Sequence, residues 1–277
     1  MADNILKVRE IVFNRLNADG SPITIKTADD AMLIDYGQSV GISYLYKDGT
    51  EIENVGPLGT ICKVKMPDEF TGCQADMQVA KRSNLLSYMI QGGTYDSATD
   101  VHVPPFSTDD APNPVSVDFY CEIYDDGDHF HGEQTGYFKF SMPKATGRFS
   151  SESFGNDAFS NPSLTLTGKE YIDGTQPANS KPCYYITDSA TLPSEGSYSA
   201  PFHITGTLGV DLVGAVVSVT VNGAPVTDTS DAEGLAELTL PYGVHSYTVT
   251  MDAYTTKTGT ITVGLVNGVT EVAMVAS

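Results

Sequence analysis

Apolar and polar residues alternate strictly in two stretches of this chain. Between Val115 and Tyr124, Val115, Val117, Phe119, Cys121 and Ile123 fall on one face; Ser116, Asp118, Tyr120, Glu122 and Tyr124 fall on the other. After a polar turn, Phe138, Phe140 and Met142 share a face, with Tyr137, Lys139 and Ser141 opposite. A period of two over such lengths predicts a β-hairpin with one buried and one wet face. Further strands are expected at Val8–Asn14, Ser39–Tyr46, Ile61–Met66, Gly147–Ser153, Ser163–Glu170 and Cys183–Thr187. Asp19-Gly20-Ser21-Pro22 and Lys47-Asp48-Gly49-Thr50 read as turns. From Asp48 to Gly59 the chain is polar and glycine-containing, which suits a long loop or an extended hairpin. One helix is predicted. Ser83 is its N-cap, Leu85, Leu86, Met89 and Ile90 form its apolar stripe, and Gly92-Gly93 stops it. So short a helix must pack on a sheet.

From Phe202 to Ser277 the pattern changes to Val/Thr-rich runs punctuated at regular intervals. The turns are Asn222-Gly223, Asp231-Ala232-Glu233-Gly234, Pro241-Tyr242-Gly243 and Asn267-Gly268. This spacing predicts an immunoglobulin-like or prealbumin-like sandwich. Between Asp188 and Pro201 the composition turns to Ser, Gly and Pro. The expected organisation is therefore a β-rich body over 1–190, a linker over 191–201 and a small β-sandwich over 202–277. The whole is all-β with one short helix.

Charge narrows the function classes. The 277 residues hold 35 acidic and 15 basic side chains, a formal charge of −20. Up to Ser199 there are 28 acidic and 14 basic residues; beyond it there are 7 and 1, so the excess is spread over both parts. Sequence-independent nucleic-acid binding needs Lys and Arg to displace counterions, and this chain opposes it. A negative wall does let DNA pass without sticking. The N-terminus shows no basic region followed by an apolar stretch, so no secretory signal is expected. No run of about 18 apolar residues exists, so no helical membrane span is expected. The cysteines Cys62, Cys73, Cys121 and Cys183 lack CxxC spacing and are read as reduced, mostly buried thiols of a chain folded in a cytosol.

The search for chemistry finds little. Asp125, Asp126, Asp128, His129, His131 and Glu133 form the one dense group of ligand-type side chains. They fit either a divalent metal or a solvated hairpin turn, since turns favour Asp and Gly for backbone reasons. Asp228 to Gly234 fits either calcium or an Asx-turned sandwich loop. His102, His203 and His245 stand singly, in structural settings. Asp118 and Glu122 can be drawn as a glycosidase couple, but on one strand face they read more simply as a charged wall. No GxSxG, P-loop, HExxH or GxGxxG motif occurs, so no enzymatic activity and no cofactor are expected.

Over roughly residues 4–188, the order of elements resembles the major tail tube protein of long-tailed, siphovirus-type bacteriophages. The resemblance rests on the early strand, the strand and long loop around Asp48-Gly49-Thr50-Glu51, the strand entering the helix that ends at Gly92-Gly93, and the central strand pair. It continues through Phe140-Ser141-Met142-Pro143-Lys144-Ala145-Thr146-Gly147, Ser160 to Gly168, and Lys181-Pro182-Cys183-Tyr184-Tyr185. The C-terminal module resembles the carboxypeptidase-regulatory and bacterial Ig-like group in Thr227-Asp228, Gly234, Leu240-Pro241-Tyr242-Gly243 and Tyr247-Thr248-Val249. Ala253-Tyr254 stands where that group often has an aromatic-glycine pair.

The resemblance implies a tail-tube β-sandwich or barrel domain with a C-terminal Ig-like sandwich. Such a protein is a structural virion protein of the viral tail, made in the host cytoplasm. Hexameric rings of it stack into a hollow tube through which DNA passes during ejection without specific binding. Its partners are copies of itself, the tape measure protein and the tail terminator and tip proteins; it enters no membrane. Asp48, Gly49, Thr50, Glu51 and Glu53 are then the expected inter-ring loop, and Asp118 and Glu122 the expected lumen-facing acids. The Ig-like module is expected to face outward and touch a host surface weakly. The competing reading is a bacterial surface adhesin or carbohydrate-binding β-sandwich protein.

Overall fold

The computed structural model describes residues 6–23, 27–35, 39–56, 59–79, 83–105, 114–124, 134–149, 162–168 and 183–277. The first part consists of β1 (Leu6–Arg15), β2 (Ala31–Ile34), β3 (Ser39–Lys47), β4 (Glu51–Gly56), β5 (Gly59–Lys65), β6 (Glu69–Gln78) and helix α1 (Asn84–Gln91). It continues with β7 (Thr94–Asp96), β8 (Val101–Val103), β9 (Val115–Tyr124), β10 (Gln134–Phe149), β11 (Ser163–Gly168) and β12 (Tyr185–Ser189). The second comprises β13 (Ser197–Thr205), β14 (Val216–Val221), β15 (Ala224–Thr229), β16 (Leu235–Pro241), β17 (Gly243–Thr250), β18 (Lys257–Val263) and β19 (Thr270–Ala273). The protein is all-β apart from α1 and short 3-10 turns.

The first part closes on itself. Its strands run in the order β11-β6-β3-β1-β9-β10, and β10 pairs back to β11, which completes a barrel. Closure removes the exposed edges of an open sheet. The apolar positions of β9 point inside as the alternation predicts, with Val117 and Phe119 fully buried. Phe140 and Met142 of β10 join them, and Phe119 and Phe140 lie 6.2 Å apart between ring centroids.

Strand β10 is longer than its sequence suggests. The two strands expected around Phe138–Met142 and Gly147–Ser153 are one strand as far as Phe149. Pro143 sits inside it, at a register shift between Met142 and Ala145. The strand leaves β9 there and picks up β11, from Ala145↔Gly168 onward. A bulge is where a strand tolerates a residue without an N–H.

Helix α1 forms as predicted. The Ser83 side chain accepts from the Leu86 N–H, and Gly92 ends the helix at φ 75°. Leu86, Met89 and Ile90 are buried against the barrel. Gly147 of β10 makes room for them: a Cβ there would meet Ile90 at 3.1 Å and Leu166 at 2.8 Å. Arg15 lies 4.5 Å over the Tyr88 ring and also holds Asp30 at 2.9 Å.

The second part is two sheets, β16-β13-β19 and β15-β14-β17-β18, packed over one core. Phe202, Ile204, Val217, Val219, Leu240 and Val249 are fully buried within it. Asn222 (φ 50°) and Gly223 (φ 83°) form the two-residue turn that joins Val221 to Ala224, the left-handed pair such hairpins require. The sandwich starts earlier than expected. Ser197–Pro201, placed in the linker by composition, are the first half of β13 and pair with β16. Pro201 lies just before β19 begins to pair at Phe202, so only one neighbour flanks it.

Candidate functional site

Strands β3 and β6 pair from Val40↔Met77 to Lys47↔Glu69, and β4 and β5, a separate two-stranded sheet, pair from Glu51↔Lys65 to Gly56↔Gly59. This hairpin is an arm joined to the end of the β3–β6 ladder. Of the long loop or extended hairpin expected at Asp48–Gly59, the structure shows the hairpin, with β4 paired to β5. At about 3.3 Å per residue, the six residues of β4 alone run about 20 Å. Asp48, Gly49 and Thr50 form the crossing where the arm leaves the β3–β6 ladder. The Gly49 N–H donates to Asp68 Oδ1 at 3.0 Å and the Met66 N–H donates to the Thr50 carbonyl at 3.0 Å. Lys65 Nζ sits 3.4 Å from the same Asp68 oxygen. The Gly49 bond, with help from Lys65, holds the Asp68 carboxyl below its ordinary range. Only glycine fits at 49, since a Cβ would lie 1.8 Å from the Met66 carbonyl oxygen. Glu51 and Glu53 lie on β4, with backbone partners Lys65 and Lys63.

One face of β3 passes from core to solvent. Val40 is fully buried, Ile42 half-buried, Tyr44 47% exposed and Tyr46 62% exposed. Successive members of this set are two residues apart, so they share a face that begins inside the barrel and continues past its rim. Phe70 of β6 and Tyr184 extend the patch. Ring centroids are 5.6 Å apart for Tyr46–Phe70 and 5.4 Å for Tyr44–Tyr184, and Tyr184 stacks on core Phe140 at 5.0 Å. Tyr185 and Ile186 of the edge strand β12 are also exposed, at 44% and 55%. Aromatic side chains left this open mark a contact surface.

The acidic face of β9 differs from its expectation. Asp118 and Glu122 do share a face, but it is not an open wall. Glu122 is 6% exposed and lies 3.3 Å from Arg9; Asp118 is 22% exposed and lies 3.8 Å from Lys139. Tyr137 and Ser141, expected outside on β10, are buried. The cover comes from residues distant in sequence. Leu192, Pro193 and Tyr198 approach Val12 and Tyr120, and Leu265 of the sandwich joins them. Burial, then the neighbouring Asp118, pushes the Tyr120 phenol up to about 12. Below this cover Glu10 is 4% exposed and accepts from the Ser194 backbone N–H at 3.0 Å and from its hydroxyl. Around Glu10 and Tyr120 this face is thus where the segment before β13 docks.

The other sequence candidates are structural where described. Asp125 to Glu133 lies outside the described residues, and among those that are described no group of His, Cys, Asp and Glu is arranged to hold a metal. Asp231 Oδ1 accepts the N–H groups of Glu233 and Leu235, which makes its loop an Asx turn. His102 donates to the Gly92 carbonyl and His245 to that of Pro241. His203 was missed as a charge partner: Nδ1 meets Glu271 at 2.8 Å and Nε2 meets Asp211 at 2.9 Å. Both carboxylates only accept, so the ring satisfies both as an imidazolium. Cys73, Cys121 and Cys183 are free and buried; the side chain of Cys62 is outside the described set. No helix among the described residues is long and apolar enough to cross a membrane.

No protein-family model matches the sequence, and comparison with curated proteins gives no match. Among solved structures, that of the Bacillus anthracis TIE protein is similar at 11% identity over 97% of this chain, with a TM-score of 0.27. The chain spans 35% of the length of that structure, and a likeness this low carries no argument about function.

Proposed function

We propose that the chain is a structural subunit of a bacteriophage tail tube. The barrel body assembles into rings, hexameric in this reading, that stack into a hollow tube. The β4–β5 arm reaches a neighbouring ring, and the C-terminal sandwich is displayed outside, where it touches a host surface weakly. DNA passes through without specific binding, consistent with a net charge of −20. Tape measure, terminator and tip proteins are its further partners.

The observation that carries this reading is the apolar face of β3, buried at Val40 and open at Tyr46, continued by Phe70 on β6 next to the β4–β5 hairpin. A monomer gains nothing from aromatic rings held in water; a polymer buries them at each repeat. Asp118 and Glu122, expected to face the lumen, pair with Lys139 and Arg9, which lessens the negative charge they would present there.

Negative-stain electron microscopy of the purified chain, before and after concentration, tests the proposal. Stacked rings or hollow tubes with outward knobs are expected, and removal of residues 197–277 takes away the knobs. Tyr46→Asp with Phe70→Asp should yield folded particles that do not polymerise. A wild-type chain that stays monomeric by light scattering at every concentration, with or without tail-tip initiator, overturns the reading.

A further inference from the structure

Two strands leave an edge unpaired toward the same space. Among the described residues, β2 pairs only with β1, and β18 only with β17. A cleft of about 550 Å3 lies between them, at the junction of barrel and sandwich. Ala31, Met32 and Leu33 line it from one side, and Thr260, Ile261 and Thr262 from the other. Successive residues of a strand point to opposite faces, so three in a row reach a common space only through the main-chain edge. Ala31 and Ile261 illustrate this: both border the cleft although their side chains are buried. Each edge therefore offers backbone N–H and C=O groups to the cleft, and an extended segment is the occupant whose own groups match them.

The walls also state a charge preference. Among the described residues no Lys or Arg lines the cleft, while Tyr242 does. The exposed Asp35 directly follows the last residue of β2, and burial, then the negative charge of Asp35, raises the phenol of Tyr242, which lines the cleft. The chain's overall charge of −20 favours a basic segment here over a second copy of itself.

We propose that this cleft accepts an extended, basic-ended peptide segment of another protein, which adds as a strand to the edges of β2 and β18. Small alternating side chains suit its interior, and a Lys or Arg at one end faces Asp35. This site is independent of the arm and goes beyond the tube reading.

The test is amide hydrogen exchange of the full chain with the peptide Lys-Val-Thr-Val-Thr-Val-Lys, alongside fluorescence anisotropy. Slower exchange is expected in Ala31–Ile34 and Lys257–Val263. Methylating alternate backbone nitrogens of the peptide should weaken binding about tenfold, the loss of one to two net hydrogen bonds. Asp35→Asn should weaken the Lys-ended peptide at low salt and leave a Thr-ended one unchanged. Equal binding of the methylated peptide, or no protection at either strand, overturns the proposal. Protection that grows with protein concentration alone assigns the cleft to a second copy instead. Displacement of the peptide by a neutral oligosaccharide that itself protects both strands assigns it to sugar; both results reject the peptide reading.

Discussion

Glu10 and Ser194 stand 184 positions apart in sequence, yet the buried Glu10 carboxylate accepts both the backbone N–H and the hydroxyl of Ser194. This contact pins the segment before β13 onto the outside of β1. Ser194→Ala removes one of two donors to a carboxylate held away from water. A loss of about 1–3 kcal/mol is expected. Chemical denaturation reads the loss, and limited proteolysis should show faster cleavage near residues 190–196. Unchanged stability and unchanged cleavage would show that the second part is held by its apolar contacts alone.

Gly49 carries the crossing into the arm. Gly49→Ala puts a methyl against the Met66 carbonyl and should cost the arm about 1–3 kcal/mol, as overpacking does. Gly49 lies beyond the last β3–β6 pair, Lys47↔Glu69, so the thermal transition of the barrel should stay within a few degrees of wild type by circular dichroism. Tube formation should fail or slow in the microscope, which separates arm geometry from folding.

The His203 cluster predicts a pH dependence of definite sign. The hydrogen bond to Asp211, then that to Glu271, raises the imidazole above its ordinary 6.5. A raised folded value means that the stabilisation is fully present below 6.5 and is lost as pH rises through the folded value. The sandwich should therefore unfold more easily at mildly alkaline pH than at pH 6. His203→Gln should flatten that slope. A slope of opposite sign, or one that survives the substitution, rejects the assignment.

The buried thiols should be chemically silent. Burial pushes Cys121 up to about 12 and raises Cys73 further, with Cys183 adding to the second shift. At neutral pH thiolate is then negligible, and the groups are also shielded. In a Cys62→Ser chain, Ellman's reagent should find no reactive thiol until denaturant is added. Prompt reaction of the native protein would place one of the three at the surface.

Much of this fold could be read from periodicity. The inward face of β9 follows from alternation, and α1 follows from a Ser cap, a four-residue stripe and a double glycine. Strand β6 was harder, because its buried positions are the small or sulfur-bearing Cys73, Ala75 and Met77 among polar neighbours. Strand β2, Ala-Met-Leu-Ile, has no alternation at all. The docking seat was invisible for a different reason. Glu10, Asp118, Glu122 and Ser141 are polar, so the local pattern assigns them to water. Ser194, Leu192 and Tyr198, which close over Glu10 and Tyr120, arrive from far along the chain. Ser197–Pro201 were misplaced because Ser, Gly and Pro suggest a linker wherever tertiary pairing is not yet known. The arm's reach was legible only as a length of polar chain; its uncovered aromatic base appears only once the barrel rim is located.

The barrel's seams are of unequal length. Among the described residues, β3 and β6 share eight paired positions, whereas β1 and β3 meet at two, Leu6↔Val40 and Lys7↔Ser39. Of these two seams the shorter should open first, so the amides of Leu6 and Lys7 should exchange faster than those of β3 and β6. Unzipping turns a closed wall into a strip with two matching borders. Each border fits the other equally well whether they belong to one molecule or to two. The same short seam that lets a lone subunit shut itself away also sets a low threshold for joining a neighbour.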